Sequence, residues 1–174
     1  SGKLIKNNYY IKLNKPGSSC YFNGFNTANN KDHIDNYIEI CHNNKHTTSN
    51  LNYKIISNKN AKSILFAKAI ISKNSSNCEA YQNNNNIILS KNAIVHSNPQ
   101  LEIYNDDVKC SHGSTTGQID DDAVHYMRTR GINQSDAKKL ILHSFLVDIV
   151  EKVSSENLRV DLNNKIQSYL KSVN

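Results

Sequence analysis

Between Tyr9 and Cys110 the chain is a succession of short apolar or alternating runs: YYIKL, CYFNGF, YIEIC, YKII, SILFAKAII, NIILS, AIVHS and LEIY. Clusters of Asn, Gly, Ser and Lys separate them. Runs of this length, rich in β-branched and aromatic residues and bounded by turn formers, predict strands. Alternation is strict in Tyr37-Ile38-Glu39-Ile40 and in Leu101-Glu102-Ile103-Tyr104, a pattern that buries one strand face and hydrates the other. No continuous helical period occurs before residue 117. A sandwich, a barrel or a β-solenoid all satisfy this pattern, although the absence of a strict short repeat argues against a regular solenoid. The run Asn83, Asn84, Asn85, Asn86 reads as a turn, because Asn disfavours strand interiors and readily takes left-handed backbone angles.

After Gly117 the period changes. Asp120 is placed to cap a helix, and Asp121 and Asp122 put negative charge against the positive end of its dipole. This helix is expected to reach Arg130, with Gly131 as a left-handed stop. Asn133-Gln134-Ser135-Asp136 reads as the next cap, followed by a stripe of Ala137, Leu140, Ile141, Phe145, Ile149 and Val153. A third helix is expected from about Ser155, with Leu158, Leu162, Ile166, Tyr169, Leu170 and Val173 as its stripe. The expected division is a β region over 1–118 and a helical region over 119–174.

Composition narrows the classes. The 174 residues allow one sizeable core, or one elongated domain with a small appendage. No apolar stretch approaches about 18 residues and no charged-then-apolar leader opens the chain, so no membrane association is expected of this sequence. The net charge of +6 is spread along the chain and not interleaved with stacking aromatics, so no nucleic-acid partner is expected. Asn accounts for about one residue in six, well above ordinary usage, which reads as the mark of an AT-rich genome loading solvent-facing positions.

Cys20, Cys41, Cys78 and Cys110 show no Cys-x-x-Cys spacing and predict free thiols in a reducing compartment. The first three read as small buried hydrophobes. Cys41 and His42 are adjacent on a strand and face opposite ways, so the pair reads as structural. Cys110 and His112 differ: separated by one residue on a strand, they share a face about 7 Å apart along the chain. A thiolate and an imidazole so placed can reach one metal or cluster. Two ligands do not complete such a site, so a second subunit or small molecule would have to supply the rest. A packed Cys beside a hydrogen-bonded His is the alternative. Asp106 and Asp107 could accept from the imidazole or form an Asx turn. No phosphate-binding Gly-x-x-x-x-Gly-Lys loop and no Gly-x-Ser-x-Gly elbow is present. Ser111, His112 and Asp107 do not make a triad, since adjacent strand residues diverge.

Residues 99–141, PQLEIYNDDVKCSHGSTTGQIDDDAVHYMRTRGINQSDAKKLI, closely resemble the C-terminal signature of the SufB/SufD family, its SufD branch in particular. The likeness continues more weakly through GSSCYFNGF, HIDNYIEICHNNKHTTSN, SILFAKAII and NNNNIILS. It implies a right-handed parallel β-helix of irregular coils followed by a small helical subdomain. It also implies a non-enzymatic subunit of the SUF machinery, paired with a SufB-like subunit and docked by its C-terminal helices to a SufC-like ATPase. Cys110 and His112 would then lie near a transient iron–sulfur cluster shared with the partner, or near its iron entry site. An isolated chain is expected to pair with its own copy. The resemblance implies a plastid of the apicoplast type if the source is eukaryotic, and the bacterial cytoplasm otherwise. Family members are longer, so the chain is expected to be a C-terminal portion, with Ser1-Gly2 an added remnant. A purely structural interaction subunit without cluster ligands is the main alternative, and a β-helix polysaccharide-active enzyme a weaker one.

Overall fold

The computed structural model describes residues 2–173, so Ser1 of the expected remnant and Asn174 lie outside the described residues. The chain forms two compact units, Ser1–Thr116 and Gly117–Asn174.

The first unit is a parallel β-solenoid of about four turns. Its strands are β1 (Leu4–Leu13), β2 (Ser19–Ala28), β3 (His33–His42), β4 (Thr48–Ser57), β5 (Lys62–Ile71), β6 (Cys78–Ile88), β7 (Ile94–Ile103) and β8 (Val108–Gly117). Each turn contributes one strand to each of two sheets, ordered β1-β3-β5-β7 and β2-β4-β6-β8. Pairing is parallel and in register, as in Ile38 beside Ala67 and Leu51 beside Gln82. Strand alternation sends Ile38, Ile40, Leu51, Tyr53, Ile55 and Leu65 into one apolar cluster between the sheets. On the opposite face of the first sheet, Tyr37 stacks on Phe66 with centroids 5.2 Å apart. Such ladders form because in-register stacking sets like positions about 4.8 Å apart.

The repeat that the strands conceal is carried by the corners. Left-handed backbone recurs at Gly17, His46 and Asn77, and again at Asn30 and Lys59. Asn side chains link successive corners: Asn43 donates to Asn14 at 2.8 Å, and Asn92 to Asn60 at 3.0 Å. Inside the solenoid, Asn7 donates to Asn36 and Asn36 to Asn26. Asn36, Asn52, Asn58, Asn84 and Asn86 are all buried, so the Asn content is not confined to solvent-facing positions. Each amide carries both donor and acceptor and can bond the turn below while receiving from the turn above.

The four consecutive Asn residues are not a turn. They lie within β6, where Asn84 donates to the Tyr53 carbonyl and Asn86 to Asn84 and the Thr115 carbonyl. Hydrogen bonding between turns outweighs the poor strand propensity of Asn, which reflects chiefly the lack of such partners.

Two interior residues show how tight the stacking is. Gly24 lies beside Tyr53 in register, and a Cβ there would come within 2.6 Å of the ring. His42 is fully buried, with its ring nitrogens 2.8 Å from Thr47 Oγ1 and 2.8 Å from Ser49 Oγ. Burial lowers its pKa below the ordinary 6.5, opposed by a backbone interaction with Thr47.

The second unit comprises α1 (Asp121–Thr129), α2 (Gln134–Glu151) and α3 (Glu156–Ser172). Asp120, Asn133 and Ser155 cap them as the sequence predicts, and Gly131 turns left-handed at φ +88°. Helix α1 packs on α2, and α2 on α3. The buried face of α2 is Ala137, Leu142, Leu146, Ile149 and Val150, while Leu140 is exposed. Apolar residues surround this helix, so periodicity alone did not select the buried face. In α3, Ile166 and Leu170 are buried and Leu158 is exposed, so the stripe begins about one turn later than expected.

Gly24→Ala is expected to lower stability by about 1–3 kcal/mol through overpacking against Tyr53, measured as a lower urea midpoint. Stability should also depend on pH through His42. With the folded-state pKa depressed, its contribution is complete above the unfolded value near 6.5 and is lost as pH falls from there toward the folded value. Urea midpoints at pH 8 and 5 should diverge for the wild type and differ less for His42→Gln.

Candidate functional site

Strand β8 ends the β2-β4-β6-β8 sheet, so one of its edges is unpaired among the described residues. Its register on β6 follows from three contacts at a constant separation of 30: Lys109 to Glu79, Ser114 to Asn84 and Thr115 to Asn85. Ala80 therefore lies beside Cys110, and Gln82 beside His112. Cys110 packs against the buried cluster of Ala69, Ile71, Cys78 and Ala80. Ser114 Oγ, on the same face, donates to Ser97 Oγ at 2.8 Å and contacts Asn84 Oδ1. His112 lies between these two inward positions and shares their face. It is nevertheless exposed, whereas Cys110 is half-buried. No turn of the chain stacks over it among the described residues.

Burial raises the Cys110 thiol pKa above 9.0, opposed by a backbone hydrogen bond from Ala80 and reinforced by Cys78. At neutral pH the free residue is a thiol, and a metal must displace its proton. Among the described residues, no three His, Cys, Asp or Glu side chains gather in a way that could hold a metal ion. Cys110 and His112 thus stand on an open strand without a third potential metal-binding side chain gathered beside them among the described residues.

The remaining cysteines are free: Cys78 is buried, while Cys20 and Cys41 are half-buried. Cys78 Sγ lies 3.1 Å from Thr47 Oγ1, within the His42 network. The Asx turn before β8 is made by Asn105, whose Oδ1 accepts from the Asp107 amide at 2.9 Å. The Asp107 carboxylate itself accepts from Asn77 at the preceding corner, 2.8 Å away. Asn77 and Asp107, with Cys78, Glu79, Asp106, Val108 and Lys109, line a cleft of about 240 Å³ that Cys110 and His112 do not line. Sequence reasoning missed Gln82, Ser97 and Ser114 as inward neighbours of the pair. Only the strand register, which joins residues about 30 apart, brings them together.

The class of fold is a parallel β-solenoid followed by three helices, with Cys110 and His112 on the last strand of one sheet. Residues 1–145 match the family model described as SUF system FeS cluster assembly, SufBD core domain. The chain belongs to this SufB/SufD family and is SufD-like. It is 32% identical over 158 residues to the Escherichia coli iron–sulfur cluster assembly protein SufD, covering 91% of this chain and 37% of that protein. It is 24% identical over 170 residues to a chloroplastic protein of Arabidopsis thaliana, covering 97% of this chain and 36% of the relative. Plasmodium falciparum SufD is 24% identical over 147 residues, covering 84% of this chain and 10% of that protein. The chain therefore spans well under half the length of each of these relatives.

Alkylation of Cys110 should be slow at pH 7.5 and still rising above pH 9, since burial holds the thiolate fraction below that of a free cysteine. Iodoacetamide labelling followed by peptide mass spectrometry checks this; a rate already saturated at pH 8 would contradict it.

Proposed function

We propose that the chain is the core of a SufD-like subunit of an iron–sulfur cluster assembly complex, with Cys110 and His112 presenting a thiolate and an imidazole to the cluster under assembly. The cluster is cargo. A SufB-like subunit pairs along the β8 edge and supplies the missing ligands. The observation that carries this reading is the position of a partial ligand set on the inner face of a strand with one unpaired edge. Edge strands with free backbone groups are ready templates for another chain. Without a SufB-like partner, the same edge pairs with its own copy across a two-fold axis.

The subunit contributes ligands and a docking frame, not catalysis. The ATPase of the complex, SufC-like, binds the helical unit, whose exposed apolar residues include Tyr126, Leu140, Leu158 and Val160. The names of the relatives support bacterial cytoplasm or a plastid as the compartment: one is bacterial, one is chloroplastic, and one is the SufD of Plasmodium falciparum.

The test is anaerobic reconstitution of the assembled complex with iron and sulfide, followed by its visible absorption. His112→Ala removes an exposed side chain, so the subunit should fold and bind its partners while cluster yield falls at least tenfold, as expected for loss of a ligand. Cys110→Ala should lower the yield equally or less. Normal yield from the double variant leaves the chain as an interaction subunit only.

A further inference from the structure

We infer that Gln82 is a positioning residue for His112: the exposed imidazole turns inward, so that the Gln82 side-chain carbonyl, which has no partner in the present rotamers, accepts one ring N–H and leaves the other ring nitrogen free as a ligand. This rests on the ligand role proposed for His112. The observation behind it is an unpaired acceptor. Gln82 is 5% exposed, and its Oε1 is buried without a hydrogen-bond partner among the described residues. An orphaned carbonyl of this kind costs about 1–3 kcal/mol, so its retention calls for a donor.

The Gln82 amide nitrogen is committed. It donates to the Gln100 carbonyl at 3.2 Å, which fixes the orientation of the amide and directs Oε1 away from β7. Next along the same inner column is His112, about 4.8 Å away between paired strands. Its neighbours on that face have their own contacts: Cys110 packs in the apolar cluster, and Ser114 donates to Ser97. His112 is the donor-bearing side chain at the register position beside Gln82. A neutral imidazole has one N–H and one lone pair, so accepting the N–H selects the tautomer whose lone pair remains for iron. A ligating His is commonly held through its second ring nitrogen in this way. Here the acceptor is a neutral amide on the neighbouring strand, not a carboxylate.

The test is the ¹⁵N spectrum of the histidine-labelled chain at pH 8, where an ordinary imidazole is neutral. The His112 signals are assigned by their loss in His112→Ala. The wild type should show two widely separated ring-nitrogen shifts, the signature of one dominant tautomer. In Gln82→Met, which keeps the side-chain length and removes the acceptor, the two shifts should move toward their mean. Gln82→Glu, which restores an acceptor, should separate them again or bring both to the protonated position. Should Gln82→Met lose its folded amide spectrum, Gln82→Asn carries the comparison, since its shorter side chain withdraws the carbonyl. Unchanged His112 shifts in a folded acceptor-less variant overturn the inference. In the reconstituted complex Gln82→Met should slow cluster formation about tenfold. The spectral readout needs no cluster, so normal cluster yield from His112→Ala removes the ligand role, while unchanged shifts remove only the role of Gln82.

Discussion

Every strand of the β unit takes its backbone partners from strands in neighbouring turns. A parallel ladder leaves half of each terminal strand's backbone groups unpaired, so the solenoid satisfies itself everywhere except at its ends. This constraint organises the molecule. It aligns side chains into columns, makes identical chemistry recur from turn to turn, and concentrates unmet bonding capacity on the edge strands. Strand β8 is one of these, and it carries Cys110 and His112.

The columns explain why polar residues are acceptable inside. Asn36 bridges Asn7 and Asn26, and Asn86 reaches both Asn84 and the Thr115 carbonyl. A side-chain amide at the same position in successive turns repeats the logic of the backbone ladder. Buried Asn thus binds turns together where Leu or Ile would contribute apolar area alone. His42, held between Thr47 and Ser49, follows the same logic and introduces an acid-sensitive group into the core.

The same geometry produces a partial site. In an interior turn, Cys110 and His112 would be covered, and their polar atoms would need partners from this chain. On the last strand they face inward yet remain open. Cys110 is anchored by apolar packing, and His112 is exposed. Under the proposed ligand role, the remaining ligands would come from whatever pairs with the edge, and assembly of the complex and completion of the site would be one event.

Much of this was legible in the linear sequence. Alternation in YIEIC and LEIY marked strands because a half-buried strand has period two, and Asp120, Asn133 and Ser155 marked helix starts because their side chains satisfy free amides. The Cys-x-His spacing alone placed both side chains on one face, and the likeness of residues 99–141 to a known family supplied the architecture. The tertiary structure decided what depends on residues about 30 apart. Asn83, Asn84, Asn85 and Asn86 form strand and not turn because their partners lie in other turns, and the buried face of α2 follows its neighbours because its apolar residues run all round. Gln82 comes to lie beside His112 only through register. Local patterns record how a residue suits its own backbone, whereas a column records its fit to two other turns, and that information has no local period to read.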